Sequence, residues 1–162
     1  MSNFEKNLEQ ALNNAKRLTD KILIDGKLIS AQTNNKIPVL NPSTGDNIGS
    51  APQCNKDDVN IAVESAHKAF QKWKKIPARE RGKMVAAGAK RLEERKSEIE
   101  TLLSLDTGNA LRTQAIPETG ASIELTNMFA GLSGELKGEN YPTNIPNSIH
   151  YTTRDPIGVV CA

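Results

Sequence analysis

Asp155-Pro156-Ile157-Gly158-Val159-Val160-Cys161-Ala162 is the stretch whose reading decides the fold. Asp-Pro is a turn signal, and the residues after it form a short apolar run. A run that is apolar on both faces reads as a strand buried within a parallel sheet. Such a strand needs a crossover connection, usually a helix, and neighbouring strands. No sequence follows it here, so its backbone N–H and C=O groups are expected to lack partners. The expectation is an α/β fold of which this chain carries one part.

The rest of the chain supplies helices and short hairpins. In residues 3–18, Phe4, Leu8, Ala11, Ala15 and Leu18 recur at 4-3-4-3 spacing, one apolar stripe on a helix. Ile22-Leu23-Ile24-Asp25-Gly26-Lys27-Leu28-Ile29 places Asp-Gly between two apolar runs, the strongest short hairpin signal. A second extended piece, Lys36–Leu40, ends in the turn cluster Asn41-Pro42-Ser43-Thr44-Gly45, and Ile48 begins the return strand. Residues 21–50 therefore read as a small antiparallel β unit.

A long helical region starts near Asn55, a good N-cap, with Asp57 and Asp58 suited to the positive helix start. Val59, Val63, Ala66, Phe70 and Trp73 continue the 4-3-4-3 pattern. Pro77 opens a second helix over 78–95 with Met84, Val85, Gly88 and Leu92 facing inward. Ser97 and Glu100 match a capping box, predicting a third helix to about Leu105 that Gly108 ends. A fourth helix is expected over about 113–136, with Leu125, Phe129, Leu132 and Leu136 on one face. Residues 138–146 are turn-rich, and Ile149, Tyr151 and Thr153 alternate as in an edge strand.

Composition narrows the function. The 162 residues suit one domain, with 37% apolar and only 4% aromatic residues and a modest core. A net charge of +2 without a basic, aromatic-laced stripe argues against nucleic acid. No apolar run approaches the roughly 18 residues of a membrane span. Glu5 and Glu9, with no apolar leader, fit neither a secretory nor a mitochondrial targeting segment. Cys54 and Cys161 lie far apart in unlike segments, so a disulfide framework is not expected and a reducing cytoplasm is the default.

Isolated reactive residues read as passive. Cys161 in its apolar run reads as a small buried hydrophobe, and Cys54 as a loop residue without a neighbouring base. His67 and His150 stand outside any metal-ligand spacing. The carboxylates Glu93, Glu94, Glu98 and Glu100 interleave with Arg91, Arg95 and Lys96, a salt-bridged surface and not an acid/base pair. Gly131-Leu132-Ser133-Gly134 reads as close helix packing, not as a phosphate loop. Neither a dinucleotide fingerprint nor a nucleophile elbow is present.

Several strings, in order, resemble the N-terminal portion of the NAD(P)-dependent aldehyde dehydrogenase superfamily. They are Ile24-Asp25-Gly26-Lys27, Val39-Leu40-Asn41-Pro42-Ser43-Thr44-Gly45, and Ala66-His67-Lys68-Ala69-Phe70 with Trp73. Leu105-Asp106-Thr107-Gly108, Gly134-Glu135-Leu136-Lys137-Gly138-Glu139 and Tyr151-Thr152-Thr153-Arg154-Asp155-Pro156-Ile157-Gly158-Val159-Val160 follow. The resemblance covers about residues 21–162, and within the superfamily the chain is similar to the betaine- and amino-aldehyde branch.

The resemblance implies the N-terminal part of an aldehyde-dehydrogenase-like α/β fold. Residues 1–20 would be a helical extension and 21–137 the outer part of a cofactor-binding domain. Residues 138–156 would be a β-hairpin that joins subunits into a homo-oligomer. Residues 157–162 would be the first strand of a Rossmann-like sheet. The parent reaction oxidises an aldehyde with NAD or NADP: a cysteine thiolate attacks the carbonyl, hydride passes to nicotinamide, and a glutamate-activated water releases the acid. The motifs for nucleophile, base and cofactor all belong beyond Ala162, so no catalytic or cofactor-binding residue transfers, and the chain alone is expected to be inactive. The alternative role is that of a truncated subunit that docks on full-length relatives. One site does transfer: relatives bind a monovalent cation through backbone oxygens at the position of Val39 or Leu40 and a carboxylate at Asp106. The competing reading has Asp106 merely anchoring the turn at Gly108.

Overall fold

The computed structural model describes residues 3–161. The predicted helices form. They are α1 (Asn3–Leu18), α2 (Lys56–Trp73), α3 (Ala78–Glu94), α4 (Lys96–Thr107) and α5 (Ile116–Leu132). The strands pair as three antiparallel ribbons: β1 (Lys21–Ile24) with β2 (Lys27–Ser30), β3 (Lys36–Leu40) with β4 (Asn47–Pro52), and β5 (Asn140–Tyr141) with β6 (His150–Tyr151). The expected small β unit is thus two ribbons, linked where the Asp20 N–H donates to the Ser50 carbonyl at 3.1 Å.

Local signals explain these elements. Asp25 and Gly26 both take positive φ, 52° and 72°, as the tight β1–β2 turn requires. The Asn55 side chain accepts from Asp58 N–H at 2.9 Å, and the Asp58 carboxylate accepts from Asn55 N–H at 3.1 Å, a closed capping box. The same carboxylate accepts from Gln32 N–H at 3.0 Å, tying α2 to the segment after β2. α4 ends at Gly108 in the left-handed conformation.

The centre of the packing is the α3–α5 contact, and it is built from small residues. Gly82 and Ala89 of α3 and Ile123 and Ala130 of α5 are buried. A Cβ on Gly82 would lie 2.5 Å from the Ala130 carbonyl oxygen, so the helices approach as closely as a glycine allows. The inward face of α3 is therefore Gly82, Val85 and Ala89, while Met84, Gly88 and Leu92, expected inside, are exposed. Gly131 and Gly134 do not carry close helix packing: Gly131 has open space beside it, and Gly134 lies past the end of α5 against the Arg79 side chain. A small-residue seam buries what it can without bulky side chains, and among the described residues no large side chain is fully buried.

Other expectations are corrected. The capping box at Ser97 and Glu100 is not formed, because α3 and α4 are separated by Arg95 alone and no extended N-cap fits between them. Ser97 lies inside α4, where its Oγ accepts from Asn7 Nδ2 of α1 at 3.3 Å. The fourth helix begins as a π-helical turn, Leu111–Ala115, and stops at Leu132, not 136. Pro117 has no N–H for the carbonyl four residues back, so the preceding turn loosens; Ala115 N–H reaches Ala110 O at 3.2 Å. The α2 stripe points outward: Val59 and Val63 are 54% and 52% exposed, and the face turned inward carries Asp58, Ala62 and Ser65.

Residues 157–161 form no strand, and Ile157 is 95% exposed. The ladder that would hold them needs a neighbouring strand, and none lies alongside among the described residues. Cys161, expected to be buried, is exposed for the same reason. Ala162 and the Phe4 side chain of the α1 stripe lie outside the described residues. The 138–156 segment forms a minimal ribbon with the register Asn140↔Tyr151 and Tyr141↔His150.

Candidate functional site

The fold brings two of the sequence strings into contact. Gly108, at the end of Leu105-Asp106-Thr107-Gly108, packs on Pro42 of the Asn41–Gly45 turn, where an added Cβ would stand 2.7 Å from Pro42 Cγ. That turn is rigid. Gly45 N–H donates to Asn41 O at 2.8 Å, Asn41 N–H to Asp46 O at 2.8 Å, and Ser43 N–H to Asn41 Oδ1 at 2.9 Å. Glycine at 108 is thus required twice, by its φ of 73° and by the proline against it.

Val39 and Asp106, the candidate cation ligands, line one open cavity of about 360 Å³. Leu40 is not part of its lining and is half exposed. The β3–β4 register shifts between Val39 and Leu40: Val39 faces Gly49, but Leu40 faces Asn47. The extra residue is Ile48 of β4, which the shift leaves without a partner residue on β3 and which lines the same cavity. Asp106 sits in the last turn of α4, which carries no basic residue. A carboxylate beside the negative end of a helix is electrostatically unfavourable unless a cation answers it. Asp106 makes no ion pair among the described residues.

The turn at Gly108 is anchored by other groups. Thr107 Oγ1 donates to Leu103 O at 2.7 Å, Asn109 N–H to Thr107 Oγ1 at 3.2 Å, and Ser104 Oγ to Asn109 O at 2.7 Å. These bonds account for the turn without Asp106. What sequence reasoning missed is the wall opposite. Ala15, Leu18 and Thr19 of the α1 end, with Gly49 and Ser50 of β4, close one side of the cavity. The signal was the α1 stripe, whose destination the spacing alone did not give.

Two carboxylates hold this wall in place. Asp20 takes positive φ at the α1–β1 junction and accepts hydrogen bonds from Lys36 Nζ and from Ser50 Oγ, the latter at 2.6 Å. The Lys36 bond, then the Ser50 bond, hold its carboxyl below the ordinary value. Glu98 of α4 is buried and accepts from Arg95 Nε at 3.0 Å and Nη2 at 2.6 Å. The Arg95 bonds lower its pKa, burial opposes them, and Asn14 and Arg17 of α1 add to the lowering. α1 is thereby clasped to α4 at Glu98 and to β4 at Asp20.

No other cluster suggests chemistry. Cys54 and Cys161 are free and exposed. His67 pairs with Gln71 at 3.2 Å. The carboxylates Glu80, Glu93 and Glu94 pair with Lys83, Lys96 and Arg91 across the helix surfaces. Among the described residues no three His, Cys, Asp or Glu side chains gather as a metal-binding group, and no helix is long and apolar enough to cross a membrane.

Comparison with known proteins identifies the architecture. The model of the aldehyde dehydrogenase family matches residues 28–162. The chain is 39% identical over 141 residues to the aldehyde dehydrogenase tropH of Talaromyces stipitatus, covering 86% of this chain and 27% of that protein. It is 33% identical over 153 residues to phenylacetaldehyde dehydrogenase of Pseudomonas fluorescens, covering 90% and 30%. Apo betaine aldehyde dehydrogenase of Staphylococcus aureus superposes with a TM-score of 0.83 at 27% identity, over 91% of this chain and 30% of that one. The chain thus spans less than a third of the length of these relatives and corresponds to their N-terminal portion. By sequence and by backbone, this chain belongs to the aldehyde dehydrogenase family.

Proposed function

We propose that the chain supplies the N-terminal portion of an enzyme that oxidises an aldehyde to a carboxylic acid with NAD or NADP, and that it is catalytically incomplete alone. The observation that carries this reading is the family match over residues 28–162, with the Asp106–Gly108 and Val39–Gly45 strings in contact as parts of one site. NAD is supported by solved neighbours from Staphylococcus aureus in complex with NAD+. The residues present do not fit a dinucleotide. The helices from α2 onward start at Asn55, Pro77, Arg95 and Ala110, and the glycine turn that precedes one of them, at Gly108, is packed against Pro42 and leaves no room there to cradle a pyrophosphate. The described side chains therefore build the frame and not the reacting centre. The two free cysteines accord with a reducing cytoplasm.

The test is nicotinamide absorbance with a panel of aldehydes. The 162-residue chain should give no turnover and no saturable binding of NAD or NADP. A protein joining it to the remaining two thirds of the family fold should turn over. Saturable turnover by the short chain overturns the reading.

The cavity at Val39 and Asp106 is proposed to hold a monovalent cation, with a backbone carbonyl at Val39 or Leu40, beside the register shift, and the Asp106 carboxylate as ligands. Its check is thermal unfolding in potassium chloride against choline chloride at equal ionic strength. Potassium should raise the midpoint of the wild type and leave Asp106→Asn unmoved. The exposed 138–156 ribbon supports a second reading, in which it mediates homo-oligomer contacts or docks the chain on full-length relatives.

A further inference from the structure

Charge is distributed unevenly along the chain. Residues 65–91 hold nine of its 21 Lys and Arg but one of its 19 Asp and Glu, so they carry a net +8 while the rest carries −6. They run through the second half of α2 and most of α3. Lys68 and Lys72, four residues apart, share a face of α2, and Lys74 and Lys75 follow at its end. Arg79, Lys83 and Lys90 share a face of α3. All seven are exposed. Lys68 pairs with Glu64 and Lys83 with Glu80, but Lys72, Lys74, Lys75, Arg79 and Lys90 make no ion pair among the described residues. The fold accounts for part of this charge. Lys72, Lys74 and Lys75 suit the negative end of α2, Lys74 lies over the Phe70 ring, and Arg81 donates to the Ile76 carbonyl. It does not account for Arg79, which stands in the first turn of α3, where the helix end is positive and a cation is unfavourable. Nor does it account for like charges four apart at Lys68–Lys72 and Arg79–Lys83, which repel. Residues that weaken their own helices point to a role outside the fold.

We propose that the basic face of α2 and α3 is a peripheral contact for an anionic lipid surface. This goes beyond the aldehyde-oxidising reading and does not rest on it. The partner must be an extended array of negative charge, because the cations spread over two helices, with a rise of about 16 Å from Arg79 to Lys90 alone. A single small anion is a poor fit: the cleft that Lys68 and Lys72 line also holds Asp25 and Glu64, whose carboxylates would repel it. Clusters of Lys and Arg on a helical surface match anionic headgroups. Trp73, 37% exposed among these lysines, supplies an indole of the kind that settles at a headgroup interface. Nucleic acid fits less well. Single strands are held by stacking on exposed aromatic rings, whereas the half-buried Phe70 ring has His67 beside it and Lys74 over it.

The experiment sediments the 162-residue chain with vesicles of phosphatidylcholine alone and of phosphatidylcholine with one third phosphatidylserine. The chain should bind the mixed vesicles and not the neutral ones. Raising sodium chloride from about 0.1 M to about 1 M, which shortens the Debye length from about 10 Å to about 3 Å, should release it. Lys72→Gln and Lys90→Gln should each weaken binding about fivefold, the consequence of removing one cation from the surface. Lys6→Gln and Lys27→Gln, on α1 and β2, change the net charge equally and should leave binding nearly unchanged. All four positions are exposed, so circular dichroism of each variant should match the wild type. Failure to bind the mixed vesicles overturns the proposal. Equal binding to neutral vesicles, which would report apolar adsorption, overturns it too. So does equal weakening by Lys27→Gln and Lys72→Gln, or tighter binding to a short DNA duplex than to the mixed vesicles at equal phosphate concentration. None of these results touches the aldehyde-oxidising reading, which is judged by turnover.

Discussion

Gly82→Ala should destabilise the chain, and Gly88→Ala, two turns along the same helix, should stabilise it. Both glycines lie in the interior of α3, so both substitutions gain helix propensity, about 1 kcal/mol in the folded state. Their surroundings differ. A Cβ at Gly88 meets nothing within 4 Å. A Cβ at Gly82 stands 2.5 Å from the Ala130 carbonyl oxygen and 3.0 Å from Ser133 Cβ. The serine can turn away, but the carbonyl belongs to the α5 backbone. Reaching ordinary contact near 3.4 Å requires α3 and α5 to separate by about 0.9 Å, along the seam that holds Ala89, Ile123 and Ala130. Overpacking of this kind costs roughly 2–3 kcal/mol. Net of propensity, Gly82→Ala should lose about 1–2 kcal/mol and Gly88→Ala should gain up to about 1 kcal/mol. Urea unfolding followed by circular dichroism reads the difference as opposite shifts of the midpoint. Ser133→Ala should not rescue Gly82→Ala, because the carbonyl remains. Equal shifts for the two glycines, or full rescue by Ser133→Ala, would refute the claim that backbone contact at Ala130 sets the α3–α5 spacing.

The remaining predictions concern other joints. Asp58→Ala removes the half of the capping box that accepts from Asn55 N–H and leaves the Gln32 N–H without its acceptor, and should cost about 2–3 kcal/mol in the same unfolding assay. Asp20 and Glu98 have folded-state pKa values below their ordinary 3.8 and 4.5. Their stabilisation is present above those ordinary values and is lost as pH falls through the depressed ones. The urea midpoint should therefore hold down to about pH 4.5 and then decline, and Glu98→Gln should flatten part of that decline. Gly138→Ala should open the 138–156 ribbon, since its Cβ would fall 2.8 Å from the Thr152 carbonyl carbon and closer still to its oxygen. Amide exchange at Asn140–Tyr141 and His150–Tyr151 should rise while exchange in α3 and α5 is unchanged.

What was legible in the sequence was whatever depends on neighbours in the chain. Asp25-Gly26 specified its turn because both residues must take positive φ. Asn55 marked the start of α2 as an N-cap with acidic residues after it, and the structure adds the reciprocal bond from Asn55 N–H to Asp58. Gly108 specified the end of α4. The Ser97–Glu100 pair misled for a related reason: the pattern was right, but a competing constraint, one residue between two helices, left no room for it. The glycines show the limit most sharply. Gly82, Gly88 and Gly131 all sit inside helices, and nothing in their local sequence separates the one pressed against a backbone from the two facing open space.

The site was less legible than the fold because its parts are assembled over distance. Val39 and Asp106 are 67 positions apart, and no spacing rule joins a strand bulge to the last turn of a helix. Family likeness named them; the packing of Gly108 on Pro42 explains how they come to share a cavity. The apolar stripes teach a different lesson. Periodicity marks an apolar face on α2 and on α5, but not where that face points. In α2 the intrachain contacts go to Asp58, Ala62 and Ser65, and the stripe stays open. A periodic stripe records that a face is apolar; which surface meets it depends on contacts between elements far apart in the chain, and those no local pattern encodes.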